Sequence, residues 1–221
     1  MKLKAMVIHH HEILIPTGTV YLGGSLSIAD GAEGLIVFSH GSGSSRFSSR
    51  NRLVANVLQK SAFSTLLFDL LTAEEDRDHS KRFDIPLLTD RLVKVRTWLK
   101  NQPALASLPV GYFGASTGAA SALRAAAQAP GQIAAVVSRG GRPDMAFDAL
   151  PKVTAPTLLL VGGLDRQVIG LNQKAYDVLQ CDKKLVIIEG ASHLFEEPGK
   201  LEEVAHEASE WFSKYLKKVL A

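Results

Sequence analysis

The sequence predicts an α/β fold built as a doubly wound, mostly parallel sheet with helices on both faces, and three observations carry that prediction. Short, wholly apolar runs recur along the chain, the pattern of strands buried on both faces. Helix-compatible stretches alternate with them, each long enough to make the crossover that parallel neighbours require. The opening residues differ in kind and read as an antiparallel hairpin leading into the sheet.

Taken in order, residues from about Met6 to Ile15 and from about Val20 to Ile28 form that hairpin, joined across Pro16-Thr17-Gly18, which are turn residues. The buried strands follow as GLIVFS (34–39), STLLFD (64–69), VGYFG (110–114), IAAVVS (133–138), PTLLLVG (156–162) and KLVIIEG (184–190). Helices are expected over about 48–60, 86–100, 116–129, 168–180 and 199–220. The last is the plainest: Leu201, Val204, Ala205, Ala208, Phe212, Tyr215, Leu216 and Val219 recur at steps of three and four. Its polar face mixes Glu202, Glu203 and Glu207 with Lys214 and Lys218, so it is a helix docked on the sheet and not a basic membrane-binding element.

With 221 residues and no repeat or long linker, one domain over 1–221 is expected. Only residues 139–155 separate two of the strands, too few for a large cap domain. The net charge of +3 is small and dispersed, which argues against nucleic acid as a partner. Cys181 is the only cysteine, so an intramolecular disulfide and a cysteine-rich zinc framework are excluded. No segment offers the roughly 20 uninterrupted apolar residues of a membrane span. His9 to Glu12 also interrupt the first apolar stretch before a signal-peptide core could form, and a cytoplasmic location is expected.

Gly114-Ala115-Ser116-Thr117-Gly118 ends one strand and opens the run AASALRAAAQ, so a G-x-S-x-G pattern stands between strand and helix. A sharp turn there strains the serine backbone and needs small residues two before and two after it, which Gly114 and Gly118 supply. Any glycine-rich turn can hold a serine; the context makes Ser116 a candidate nucleophile. The helix N-terminus adds positive potential and free N–H groups.

A serine hydroxyl is a weak nucleophile without a base, and the base needs a partner on its other ring nitrogen. After PTLLLVG, the loop Gly163-Leu164-Asp165 places a carboxylate at a strand's C-terminal end, where sites of open α/β sheets lie. After KLVIIEG, the loop Ala191-Ser192-His193 places an imidazole along the same edge. Asp165 could instead be a helix cap, with Asp69 as the alternative acid, and His193 could be an ordinary loop histidine. His206 falls off the apolar stripe of its helix and faces water. His9, His10 and His11 resemble a metal cluster, but successive strand residues point to opposite faces, so no metal site is expected.

His40-Gly41-Ser42-Gly43-Ser44-Ser45-Arg46 follows the strand GLIVFS as a loop of small residues, suited to one backbone N–H of an oxyanion hole. That donor is placed on Ser42, with Gly41 and Gly43 as neighbours able to replace it, and the second on Thr117. The Lys-Ser or Lys-Thr ending of a phosphate-binding P-loop is absent. Arg46, Arg139 and Arg142 follow strand ends, where they could pair with a substrate carboxylate or phosphate, or make surface ion pairs.

With HGSGSS (40–45), GASTG (114–118), GGLD (162–165) and GASHLFEEPG (190–199) in place, the chain resembles the dienelactone hydrolase branch of the α/β-hydrolases over nearly its whole length. The resemblance implies an α/β-hydrolase fold and a triad of Ser116, Asp165 and His193, with Ser42 and Thr117 as oxyanion donors. It also implies a small ester-like substrate and no cofactor. Dienelactone hydrolases proper carry cysteine as nucleophile where this chain has Ser116, so the expectation is a general carboxylic-ester, thioester or lactone hydrolase. A non-catalytic scaffold and acyl transfer to an acceptor other than water are the competing functions.

Overall fold

The computed structural model describes residues 7–216, so Met6 of the expected hairpin and the end of the expected last helix lie outside the described residues. Eight strands form one sheet: β1 (Ile8–Pro16), β2 (Tyr21–Ala29), β3 (Gly34–Ser39), β4 (Phe63–Phe68), β5 (Val110–Ala115), β6 (Ala135–Arg139), β7 (Thr157–Gly162) and β8 (Lys183–Ile188). Their order across it is β1-β2-β4-β3-β5-β6-β7-β8. β1 and β2 are the antiparallel hairpin, β2 joins β4 antiparallel, and every later pairing is parallel.

Period-two alternation divides each central strand between two cores. Leu35, Val37, Tyr112, Val136 and Leu159 face α2 (Ile85–Lys100), α3 (Thr117–Ala127) and α4 (Arg166–Val178). Ile36, Phe38, Phe113, Val137, Leu158 and Leu160 face α1 (Ser49–Lys60) and α5 (Lys200–Leu216). This two-sided burial is why the strands are apolar throughout. β8 departs from the expectation: most of it is only half-buried, because it is the edge of the sheet.

Capping fixes where helices begin. The Ser48 hydroxyl accepts the Asn51 N–H at the start of α1, and Asp84 accepts the Leu87 N–H at the start of α2, where Pro86 lies in the first turn. Residues 139–155 hold no cap domain. They hold a short 3₁₀ segment, Pro143–Lys152, broken at Ala146 and packed on α3 and α4. Two further 3₁₀ turns, Glu75–Arg77 and His79–Phe83, lie between β4 and α2.

The register aligns the strand ends that matter. Ser39 lies beside Gly114, Ala115 beside Arg139 and Gly162 beside Ile188, so the loops after β3, β5, β6, β7 and β8 open at the same edge of the sheet.

Candidate active site

Ser116 stands between β5 and α3 with φ 50° and ψ −120°, a conformation that L-residues avoid and that the surroundings must hold in place. Three hydrogen bonds do so. The Ser116 N–H donates to the Arg139 carbonyl at 3.1 Å, and its own carbonyl accepts from Arg142 N and Ala119 N, each at 3.1 Å. A Cβ at Gly118 would collide with the carbonyl oxygens of Ser39 and His40, so only glycine lets α3 start this close to β3. Gly114 packs in the same way against Ala119.

Asp165 occupies the N-cap position of α4, but its side chain caps nothing. Its Oδ2 lies 2.6 Å from His193 Nδ1. A carboxylate can only accept, so Nδ1 carries the proton and Nε2 presents its lone pair. The carboxylate is largely buried, and the imidazole is 39% exposed. A Cβ on Gly140 would come within 3.5 Å of His193 Cε1, the carbon next to Nε2. Gly140 follows Arg139, whose carbonyl anchors Ser116, so the turn 139–142 brings serine backbone and imidazole edge to one place.

Two features hold the histidine loop. The Ser192 N–H donates to Glu197 Oε2 at 3.0 Å, which holds that carboxyl below the usual range. Phe195, at φ 58°, turns the chain and buries its ring in the core beside α5.

The loop after β3 is tied to α3 by a contact that the sequence did not signal. The Ser42 N–H is not free: it donates to Thr117 Oγ1 at 2.9 Å. The physical reason is that Thr117, as the first residue of α3, carries its hydroxyl directly under the loop. The loop is further tied by His40, whose Nδ1–H donates to the Gly41 carbonyl at 2.9 Å while Nε2 accepts the Leu70 N–H at 3.1 Å. Burial pushes the His40 pKa down. A cavity of about 200 Å³ adjoins this loop, lined by His40, Ser44, Phe47, Asp69, Leu71 and Thr72 among others. A larger one, about 360 Å³, lies between the hairpin and α1 and contains none of these groups.

Of the three arginines, two are committed elsewhere. Arg46 pairs with Asp69 and Glu12, which also takes Asp69 away from the histidine. Arg142 forms a two-point contact with Asp144, at 2.9 and 2.8 Å. Arg139 is different: it is buried, its Nε and Nη1 have no partner among the described residues, and the Arg50 charge acts on it. Burial first, and Arg50 second, lower its pKa to about 10. Sequence patterning flagged Arg139 but gave no sign that it is inward.

His9 binds Asp30 and His10 binds Ser27, and among the described residues no group of three or more potential ligands is placed to hold a metal ion. No helix among them is long and apolar enough to cross a membrane.

Sheet order, elbow and aligned loops define an α/β-hydrolase. The profile of the dienelactone hydrolase family matches residues 28–220, and the chain belongs to that family. It is similar to a dienelactone hydrolase from Anabaena variabilis, with 55% identity, a TM-score of 0.92 and coverage of 95% of this chain and 99% of that one. It shares its fold with an esterase from Pyrococcus furiosus, at 18% identity and a TM-score of 0.75, covering 95% of this chain and 92% of the other. A Mycobacterium tuberculosis protein that carries the provisional name of a phosphoribosyl transferase is 55% identical over 205 residues. That match covers 93% of this chain but 46% of the relative, so the chain spans about half the length of the curated relatives it matches.

Proposed function

We propose that this protein is a serine hydrolase that cleaves a small carboxylic ester, thioester or lactone through an acyl-enzyme on Ser116. The observation that carries the reading is the 2.6 Å contact between His193 Nδ1 and Asp165, made by a carboxylate that has left its capping role. It fixes the tautomer in which Nε2 is a base, on the loop edge where Ser116 is held in its strained turn.

Nε2 takes the Ser116 proton as Oγ attacks the carbonyl carbon. The resulting imidazolium is stabilised by Asp165, which stays ionised. Collapse of the tetrahedral intermediate expels the leaving group, which receives the proton from His193. Water, deprotonated by the same nitrogen, then attacks the acyl-enzyme, and the acid departs from a regenerated serine. No cofactor enters these steps. The site would take a small molecule and has no use for a membrane or nucleic acid, and a single half-buried thiol suits the cytoplasm.

The transferase name belongs to mycobacterial relatives of which this chain covers 46%, and the family match over residues 28–220 of this chain supports the hydrolase reading. The test is an ester and thioester panel of varied chain length with Ser116→Ala as control. The variant should lose both turnover and labelling by a fluorophosphonate. Labelling at the parent rate would refute the nucleophile.

A further inference from the structure

The Ser42 N–H points at Thr117 Oγ1 from 2.9 Å, and this changes what a substrate oxygen would meet at the oxyanion loop. Resting on the serine-hydrolase reading above, we infer that the Thr117 hydroxyl is itself an oxyanion donor, with the Ser42 N–H acting through it. Thr117 then supplies two donors, its backbone N–H and its O–H, to the same developing charge.

Three observations lead there. The Ser42 N–H already has Oγ1 as its acceptor, so a carbonyl oxygen can take that donor only by displacing the hydroxyl. The hydroxyl accepts from Ser42, and among the described residues its own proton is given to no acceptor. A buried O–H with an unused proton is a donor awaiting a partner, and Thr117 is 2% exposed. Finally, an N–H that donates to a hydroxyl oxygen polarises that hydroxyl and strengthens the bond it donates in turn.

Thr117 also lies one residue after Ser116, in the first turn of α3, where the Thr117 N–H has no carbonyl four residues behind it within the helix. The helix dipole adds to both donors. A hydroxyl that is preorganised by a backbone contact needs no reorientation when charge develops, which is the condition for strong transition-state stabilisation.

The alternative is that the hydroxyl merely plugs the hole and swings aside when substrate arrives. Val and Ala separate the two, because each removes the hydroxyl and leaves the backbone N–H groups of Ser42 and Thr117 free. If the hydroxyl donates, Thr117→Val and Thr117→Ala each lose roughly 10- to 100-fold in kcat with KM little changed. Thr117→Ser then restores most of what Thr117→Ala loses. Binding of a trifluoromethyl ketone, which forms an oxyanion on Ser116, weakens by the same factor as kcat.

If the hydroxyl is a plug, Thr117→Ala turns over at or above the parent rate, and the inference falls. A fall in melting temperature with unchanged kcat in the folded fraction would likewise overturn it, leaving Thr117 a loop anchor. Should Thr117→Val not fold, the comparison of Ala with Ser decides. Turnover by Ser116→Ala would instead sink the hydrolase reading on its own, whatever Thr117 does.

Discussion

Asp165 begins α4 as an N-cap residue, yet its carboxylate bonds to His193 Nδ1 and not to its own helix. The helix forgoes a side-chain cap, worth about 1 kcal/mol in ordinary helices, and the imidazole gains a fixed tautomer. Asp165→Asn therefore separates the two roles. The amide can still sit beside the ring, but its NH₂ favours the tautomer with the proton on Nε2, which is no base for Ser116. Ester turnover at neutral pH should fall by roughly 10³- to 10⁴-fold with little loss of stability. Steady-state kinetics with a thermal melt checks it, and a loss under tenfold would mean that another group orients the ring.

Gly162 sets how closely the end of β7 approaches the His193 loop. A Cβ there would collide with the carbonyl oxygens of Ala191 and Ser192, backbone atoms that cannot give way as a flexible side chain could. Gly162→Ala should push the His193 loop outward, lowering both the melting temperature and the rate of fluorophosphonate labelling of Ser116. Labelling at the parent rate would show that the loop moves freely without separating His193 from Ser116.

Why some of this was legible and some was not follows from the range of the forces involved. The apolar runs of β3 to β7 are set by burial on both faces, a local composition signal, and the sequence positions match the strands to within a residue or two. β8 carries the same signal, but whether a strand is central or at an edge is decided by chain order across the sheet. Gly114 and Gly118 were readable because strand-to-helix contact leaves room for nothing larger. The Thr117 hydroxyl under Ser42 was not: it joins residues 75 apart in sequence through a loop geometry that no periodicity encodes. Arg46 and Arg142 follow strand ends as substrate-binding cations would, but Asp69 and Asp144 take them, and only packing reveals it.

Arg139 makes no ion pair among the described residues. Its guanidinium is buried, two of its nitrogens lack partners, and Arg50, itself engaged with Glu196, adds repulsion. Burying an uncompensated charge destabilises a fold, so Arg139→Met, similar in length and apolar, should raise stability by about 1 to 3 kcal/mol. For a chain of this size each kcal/mol moves the melting temperature by about 2–4 °C. Calorimetry in low-anion buffer reads the shift directly. A lower melting temperature would show that the guanidinium makes a net stabilising contact where it is.

His40 gives the fold a defined acid sensitivity. Both ring nitrogens are engaged, with Nδ1–H on Gly41 and Nε2 accepting from Leu70, so the neutral ring fits and a second proton would break the contact to Leu70. Desolvation lowers its pKa below the ordinary histidine value of about 6.5, and this outweighs the Gly41 carbonyl and the carboxylates of Asp69 and Asp76. The folded chain therefore binds this proton less readily than the unfolded chain does. The stability it contributes is fully present above about pH 6.5 and is lost as pH falls through the lowered folded value. Compared with the parent, His40→Asn should melt lower at pH 8 but show a shallower decline of melting temperature between pH 6.5 and pH 5. Parallel profiles would assign the acid loss to other groups.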